Sequence, residues 1–330
     1  MGISGYMKLF GCVTAMTVVF SCMKEERVTD TPISLKVISM PVTKGYVEGT
    51  TMYETPAISL HSTYPTKNLR TINLTSWYYP KSGIPFEYFR DERFDKDEDG
   101  LWHHFPALYW PLGGTLDFIG YSSSIPFPDG SVEYNRKRST DNVQLTFDSA
   151  YTQDDVLFSS ASGKKAMDAD GNVSLVFKHS QAWIQFKLHA KTSSYENIFR
   201  IHKIVLKDVY TTGVLEVSHP FGEPEAQWSF RFDWRNDTVV EDIHGTYGTL
   251  LTSTPSYLDM LLPEQPMKDI IMYYSYDGSD PVMQYSFSLP NAYWLMGRKY
   301  VYEISFSPEE IRIIPTVQDW NGTSSSIPVL

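Results

Sequence analysis

An acidic run after the first ninety residues has the spacing of a calcium loop. Asp95, Asp97 and Asp99 alternate along it, and Gly100 follows. Alternating carboxylates that converge on a hard cation, with a glycine for the sharp turn, are typical of such loops. The position that should supply a bidentate glutamate is Pro106, so the motif is incomplete. The three aspartates are therefore a calcium candidate, but a solvated acidic turn is the preferred interpretation, and we expect no bound metal.

Recognisable catalytic motifs do not occur in the sequence. It contains no Gly-x-Ser-x-Gly elbow, no phosphate-binding glycine loop and no His-Glu-x-x-His stretch. His103 and His104 are adjacent, and neighbouring residues of a strand point to opposite faces, so this pair does not chelate one ion. His179 and His189 are expected to be strand-surface residues or core residues with a satisfied hydrogen bond. We therefore expect neither an enzyme nor a cofactor.

Cys22 is the residue with the most specific chemistry. It ends a stretch that starts with the basic Lys8 and continues through the apolar run Leu9–Phe20 to the small Ser21. This anatomy is typical of a secretory signal peptide, and the apolar run is too short to span a bilayer. The cysteine after a small residue resembles a bacterial lipobox, in which the cysteine is lipidated and becomes the mature N-terminus. A plain signal peptide with an unmodified Cys22 is the alternative.

The signal peptide and the composition narrow down the kind of protein this chain can be. We predict a lipoprotein signal peptide over residues 1–21 and a polar tether over residues 22–32. The net charge of −11 argues against nucleic acid as a partner, because proteins that bind nucleic acid carry basic patches. Cleavage would also remove Cys12, so the mature fold would contain no disulfide and would depend on apolar burial.

The rest of the chain has the pattern of short β-strands. Val173–Phe177 and Ile184–Leu188 show period-2 alternation, as do many other segments. Such alternation indicates strands with one buried face, and a long series of short strands indicates an all-β, antiparallel sandwich architecture. The loop-like stretch Ala161–Asn172 divides the series. We therefore predict an N-terminal β-sandwich domain over residues 33–165 and a C-terminal β-sandwich domain over residues 166–330.

Aromatic residues are the remaining candidates for ligand binding. Trp77, Tyr78 and Tyr79, and the aromatic side chains between Trp102 and Trp110, could stack on sugar rings. The strand periodicity favours the other interpretation, that a large part of each set lies in the core.

Short stretches in a fixed order carry a family resemblance. They are Trp110-Pro111 with Leu116–Tyr121, Asp155–Leu157, Val173–His179, Ile184–Phe186, Leu261–Gln265, Gly297–Tyr302 and Thr316–Trp320. In this order and spacing the set resembles the fimbrillin family of Bacteroidetes, the type V pilus proteins and their relatives. The resemblance covers nearly the whole mature chain.

That resemblance implies two transthyretin-like antiparallel β-sandwich domains and export as a lipoprotein. It places the protein at the cell outer membrane and the cell surface, as part of a fimbrium that serves cell adhesion. The partners it implies are other fimbrial subunits, a host or bacterial surface receptor, and an outer-membrane lipid anchor.

In subunits of this kind a surface protease cuts after a basic residue near the mature N-terminus. Arg27, Lys36 and Lys44 are the nearby candidates, although Lys44 stands where the family pattern has arginine. The cut removes a first strand, here Ile33–Met40, and a strand of a neighbouring subunit fills the groove. The chain's own tail could act as a donor strand, but Pro328 disfavours this role because proline suits only an edge strand.

A second function of a different kind stays open from the sequence. A monomeric surface lipoprotein that binds glycan or host protein would carry the same signal peptide and the same strand pattern.

Overall fold

A computed structural model describes most of the chain. The described residues are 28–39, 71–98, 100–122, 132–137, 140–148, 155–168, 171–219, 225–230, 235–240, 248–267, 269–276, 281–288, 293–320 and 327–328.

Regular structure in these segments is β, apart from single-turn 3-10 helices at Ala166–Asp168 and Ser193–Tyr195. The all-β prediction is therefore confirmed. Among the described residues, none forms a helix with the length and apolar character needed to cross a membrane.

The strands are numbered β1 to β26 in chain order. Their bounds are β1 Val28–Pro32, β2 Ser34–Ser39, β3 Thr71–Tyr79, β4 Phe86–Lys96, β5 Trp102–His104, β6 Tyr109–Pro111, β7 Thr115–Ser122, β8 Val132–Lys137, β9 Thr140–Asp148, β10 Leu157–Lys164, β11 Asn172–Val176, β12 Lys178–His179, β13 Ala182–Ala190, β14 Phe199–Tyr210, β15 Thr212–His219, β16 Ala226–Ser229, β17 Arg235–Val240, β18 Thr249–Leu250, β19 Ser256–Leu262, β20 Gln265–Pro266, β21 Ile270–Tyr276, β22 Met283–Phe287, β23 Tyr293–Trp294, β24 Arg298–Phe306, β25 Ile311–Asp319 and β26 Ile327–Pro328.

The N-terminal sheet contains eight strands in the order β11-β2-β5-β4-β3-β7-β10-β12. Consecutive residues of the interior strand β7 are buried, and since successive side chains of a strand point to opposite sides, both of its faces are covered. Leu116 and Phe118 enter the core of this sheet, whereas Ile119 and Tyr121 enter a second cluster shared with other sheets. The side chain of Leu175 on β11 approaches Gly120 of β7, so the sheet curls around its own core.

The C-terminal part of the chain packs two five-stranded sheets against each other. One has the order β19-β13-β24-β25-β26, and the other has the order β17-β14-β21-β22, with β18 also paired to β14. Alternate residues of β13, among them Ile184 and Phe186, point into the shared core together with Ile204 of β14 and Ile304 of β24. This is the predicted face-to-face sandwich.

A four-stranded sheet, β16-β15-β9-β8, joins the two halves of the chain. β9 comes from the predicted N-terminal domain and β15 from the predicted C-terminal domain, and they pair over the whole length of β15. Val143 and Leu145 of β9 pack with Leu215 and Val217 of β15 and with Trp77 of the N-terminal sheet. The strands are therefore not divided between sheets at the predicted boundary.

The stretch Ala161–Asn172 is not a linker between two separate sheets. It holds the end of β10, a 3-10 turn and the start of β11, and β11 and β12 both return to the N-terminal sheet. The change of sheet falls between β12 and β13, near Ser180. Turn-forming residues mark a reversal of the chain inside a sheet as well as between sheets.

Two of the described strand pairs are parallel, which the antiparallel prediction did not include. β2 runs parallel to β11, and β13 runs parallel to β24. Both pairs join strands that are far apart in the sequence, whereas strands joined by a short turn pair antiparallel.

We predict that Ile184→Ala lowers the free energy of unfolding by about 3 kcal/mol, because Ile184 is fully buried and its truncation leaves a cavity. Ile314→Ala is the matched control, since the same atoms are removed from a side chain that is 39% exposed. Chemical denaturation of both variants measures the difference. Equal losses of unfolding free energy in the two variants would contradict the described burial of Ile184.

Candidate assembly site

The first strand of the N-terminal sheet, β2, lies between two strands that are remote in the sequence. It pairs antiparallel with β5 through Ser34–His103 and Leu35–Trp102. On its other side it pairs parallel with β11, from Ser34–Asn172 onward. No hairpin turn joins β2 to either neighbour, so only non-covalent contacts hold it between them.

Side chains hold β2 from the core side. Ile33 and Leu35 are buried in the same apolar cluster as Trp102, Val173 and Leu175. Ile33 and Leu35, at alternate positions of the strand predicted over residues 33–40, therefore face the same core. Burying aliphatic side chains of this size contributes roughly 1.5–3 kcal/mol each.

Polar contacts fix the register of the same strand. Ser34 Oγ donates a hydrogen bond to Asn172 Oδ1 at 2.5 Å. The backbone N–H of Ile33 donates to the carbonyl of Leu108 at 2.6 Å. Each bond joins the N-terminal segment to a different part of the domain, so a one-residue slip would break both.

β1, which precedes β2, packs against the turn that contains Gly171. Gly171 has a φ of +84°, and a Cβ built there would lie 2.7 Å from the Thr31 side chain and 3.1 Å from the Pro32 carbonyl oxygen. The indole N–H of Trp110 donates to the Gly171 carbonyl at 2.9 Å. A residue with a side chain at this position would push β1 away from the turn.

The three candidate cleavage residues have different positions relative to β2. Lys36 lies inside the strand, with its side chain exposed. Arg27 and Lys44 lie outside the described residues, immediately before β1 and five positions after the end of β2. A cut after Lys44 would therefore detach the whole of β1 and β2, and a cut after Lys36 would leave part of β2 in the sheet.

The calcium candidates do not form a cluster in the described part of the chain. The Asp95 carboxylate accepts a hydrogen bond from Arg93 Nε at 2.9 Å and lies at the end of β4. Asp97 accepts from the backbone N–H of Glu98, and Asp99 lies outside the described residues. No group of three or more potential metal ligands occurs where the structure is described.

Four of the aromatic candidates for sugar stacking are core residues, whereas Phe105 and Tyr109 are exposed. Trp77, Tyr78, Trp102 and Trp110 are all buried. The interpretation of these side chains as core, which the strand periodicity favours, is confirmed for them.

A buried polar pair lies where the N-terminal sheet meets the C-terminal sandwich. His179 Nδ1 donates to the Asp155 carboxylate at 2.9 Å, and both side chains are 1% exposed. The ring of Trp320 stacks on His179 with a centroid distance of 3.9 Å and an interplanar angle of 5°. Since Trp320 directly follows β25 of the C-terminal sandwich, this contact joins the two parts of the molecule.

Backbone hydrogen bonds surround the pair and fix its position. The amide side chain of Gln181 accepts from the Val156 N–H at 3.2 Å, and the Gln181 carbonyl accepts from the Gly297 N–H at 2.9 Å. The Trp320 N–H in turn donates to the Gly297 carbonyl at 3.2 Å. Stretches that the family resemblance singled out thus converge on one junction.

Two buried tyrosines form hydrogen bonds with the residues just before Gly297 and so stabilise the turn that contains it. The backbone N–H of Leu295 donates to the Tyr300 hydroxyl at 2.8 Å, and the indole of Trp294 donates to the Tyr302 hydroxyl at 2.9 Å. Burial raises the pKa of both phenols above the ordinary value, most strongly for Tyr302. Both groups therefore stay neutral and act as fixed hydrogen-bonding groups.

The C-terminal tail pairs with its own sandwich in the described residues. β26 lies at the edge of its sheet, with Ile327 opposite Val317 and Pro328 opposite Thr316. The expectation that Pro328 suits only an edge strand is confirmed.

Sequence reasoning did not find the pairing of His179 with Asp155. A histidine between two strands has no spacing signal that names its partner, and Asp155 precedes it by 24 positions. Of the two expectations for this histidine, the core position is the correct one: Nδ1 is hydrogen-bonded to Asp155, whereas Nε2 has no hydrogen-bond partner among the described residues. The family stretches Asp155–Leu157 and Val173–His179 were the only signal that joined the two residues.

The comparisons with known proteins agree with this architecture. The family model described as fimbrillin-like matches residues 49–320. A solved structure of a proposed cell adhesion protein from Bacteroides uniformis is similar at 14% identity and a TM-score of 0.53, covering 89% of this chain and 100% of that one. A fimbrial protein from Bacteroides vulgatus is similar at 14% identity and a TM-score of 0.51, covering 88% and 100%. At these identities the likeness shows the fold. None of the curated proteins matches the sequence.

We predict that Asp155→Ala lowers the free energy of unfolding by roughly 3 kcal/mol, because it leaves a buried histidine without its partner. Asp95→Ala, which removes an exposed carboxylate paired with Arg93, should change it by less than about 0.5 kcal/mol. Denaturant titration compares the two. A loss at Asp155 no greater than that at Asp95 would show that the buried pair does not stabilise the junction.

Proposed function

The chain belongs to the fimbrillin-like family, and from that premise we propose that it is a subunit of a cell-surface fimbrium. In this role it is a structural protein that assembles with other fimbrial subunits and contributes to adhesion. The observation that carries the proposal is the position of β2, a strand held between β5 and β11 with no hairpin to either.

We further propose that assembly proceeds by exchange of this strand. Proteolysis after a basic residue removes the N-terminal segment, and a strand of a neighbouring subunit takes its place. Lys44 is the candidate that best fits the exchange, because it alone of the three lies beyond the end of β2. Arg27 precedes β1, so a cut there would leave both strands in place.

The vacated groove would have two open strand edges and an apolar floor. β5 and β11 would each lose a backbone partner, and Trp102, Val173 and Leu175 would lose the side chains of Ile33 and Leu35. Unpaired strand edges beside exposed apolar surface favour the addition of an extended strand. The incoming strand must present apolar side chains at alternate positions, as Ile33 and Leu35 do.

We also propose that the precursor is anchored in the outer membrane through a lipid on Cys22. The lipobox-like order of Lys8, the apolar run and Ser21 before this cysteine supports the anchor. Cleavage after Lys44 would separate the anchor from the folded protein, so one cut would both release the subunit and open its groove.

We expect a chain that begins at residue 45 to bind a synthetic peptide of residues 28–44, because the peptide restores both the strand pairing and the buried Ile33 and Leu35. A peptide with Ile33→Asp and Leu35→Asp is the matched control and should bind at least tenfold more weakly, since carboxylates are expensive to bury. Isothermal titration calorimetry measures both affinities.

The full mature chain is the second control in that experiment. It should not bind the peptide, because its own β2 occupies the site. Equal binding by the full and shortened chains would contradict strand exchange, and so would a shortened chain that unfolds without ever binding the peptide.

Cys22→Ala should move the protein from the membrane fraction to the soluble fraction in the native host, because the anchor is a lipid on that side chain. Fractionation and the mass of the N-terminal peptide give the answer. An unchanged membrane fraction, together with an N-terminal peptide of unmodified mass in the parent protein, would rule out the anchor.

A further inference from the structure

Exposed apolar side chains gather at one end of the N-terminal sheet. Ile84 lies in the turn between β3 and β4 and is 86% exposed, and Phe86 follows at the start of β4. Tyr109 and Leu112 lie in and just after β6, and Leu112 is 59% exposed. We call these four residues the apolar turn patch. Large aliphatic side chains this exposed on adjacent turns need a structural or functional reason.

The two turns that carry the patch are neighbours in space. Tyr79 at the end of β3 pairs with Thr115 at the start of β7, so the turns beyond these residues lie side by side. A Cβ built on Gly113 would lie 3.6 Å from Lys81 Cε. Tyr88 Oη donates a hydrogen bond to the Tyr109 carbonyl at 2.7 Å, which ties β4 to β6 below the patch.

The charge of this end differs from that of the whole protein. Residues 80–86 and 109–114 contain one charged residue, the exposed Lys81, although the chain carries a net charge of −11. A lysine beside apolar side chains can extend its ammonium group to an anionic headgroup while its stem stays on the apolar surface. The composition of this end therefore suits a lipid surface.

The path of the chain places a lipid anchor at the same end. β1 pairs antiparallel with β6, so that Val28 lies opposite Pro111, next to Leu112. The chain before Val28 therefore starts from the edge of the apolar turn patch. Five residues, 23–27, separate Val28 from Cys22. Six residue steps reach at most about 20 Å even when fully extended.

We propose that the apolar turn patch rests on the outer surface of the membrane while the precursor is anchored through Cys22. The proposal depends on the lipid anchor of the preceding section and adds a second contact to it. A single acyl anchor holds a protein weakly, and an additional apolar or basic contact strengthens the attachment. The contact would also orient the precursor on the bilayer, and cleavage after Lys44 would remove the tether that keeps the patch there.

Site-specific fluorescence on the lipidated protein tests this orientation. The signal peptide carries away Cys12 and lipid occupies Cys22, so an introduced cysteine is the only free thiol of the mature chain. Leu112→Cys carries the probe at the patch. Val282→Cys is the matched control, because Val282 is an exposed aliphatic residue of the C-terminal sandwich. Each labelled protein is incorporated into vesicles of phosphatidylethanolamine and phosphatidylglycerol that contain a lipid with a nitroxide near its headgroup.

We expect the nitroxide to quench the Leu112 probe by roughly half, since interfacial side chains enter about 5–10 Å into the headgroup and acyl boundary. The Val282 probe should be unaffected. Adding Lys81→Glu and Ile84→Asp to the Leu112→Cys variant should abolish quenching of the probe, while the lipid anchor keeps the protein on the vesicles. These substitutions lie on exposed side chains, and an unchanged melting curve confirms the fold.

The result separates the two proposals. A protein that sediments with the vesicles but whose Leu112 probe stays unquenched overturns the docking and leaves the anchor intact, as expected if the patch serves a protein partner instead. A wild-type protein that does not sediment with the vesicles overturns the anchor, and the docking with it.

Discussion

The backbone pairing of β2 with β11 is the interaction on which the edge of the N-terminal sheet depends. β11 is the terminal strand in the sheet order, and within the described residues β2 is its one ladder partner. Leu35 of the same strand and Ile33, which directly precedes the strand, are buried in the core. Loss of β2 would therefore expose a strand edge and an apolar surface together, and both features favour the capture of another strand.

Loss of β2 would affect only one of the apolar clusters formed by the residues that the structure describes. The core that contains Ile33 and Leu35 and the core between the two C-terminal sheets are separate clusters. The third cluster and the buried His179–Asp155 pair lie between them. Among the described side chains, β2 contributes none to that junction, so its removal would break none of the described contacts that hold the C-terminal sandwich against the N-terminal sheet.

The sequence predicted the strands better than their partners. Alternation identified β11, β13 and the buried Ile33 and Leu35, because the period of two follows directly from the pleat of a strand. It did not identify the parallel neighbours of β2 and β13, since a buried face has the same pattern whichever strand lies beside it. The predicted division near residue 165 rests on turn-forming residues, which mark a chain reversal inside a sheet as well as between domains. The pairing of His179 with Asp155 depends on tertiary contact, which local sequence patterns do not specify.

Hydrogen exchange at β11 tests the central claim most directly. The amides of residues 172–176 should be protected in the full mature chain and should exchange much faster once residues up to Lys44 are removed, while the amides of β13 keep their protection. Addition of a complementary strand should restore the slow exchange at β11. Equal protection of β11 with and without β2, or a loss of protection that spreads to β13, would contradict the account.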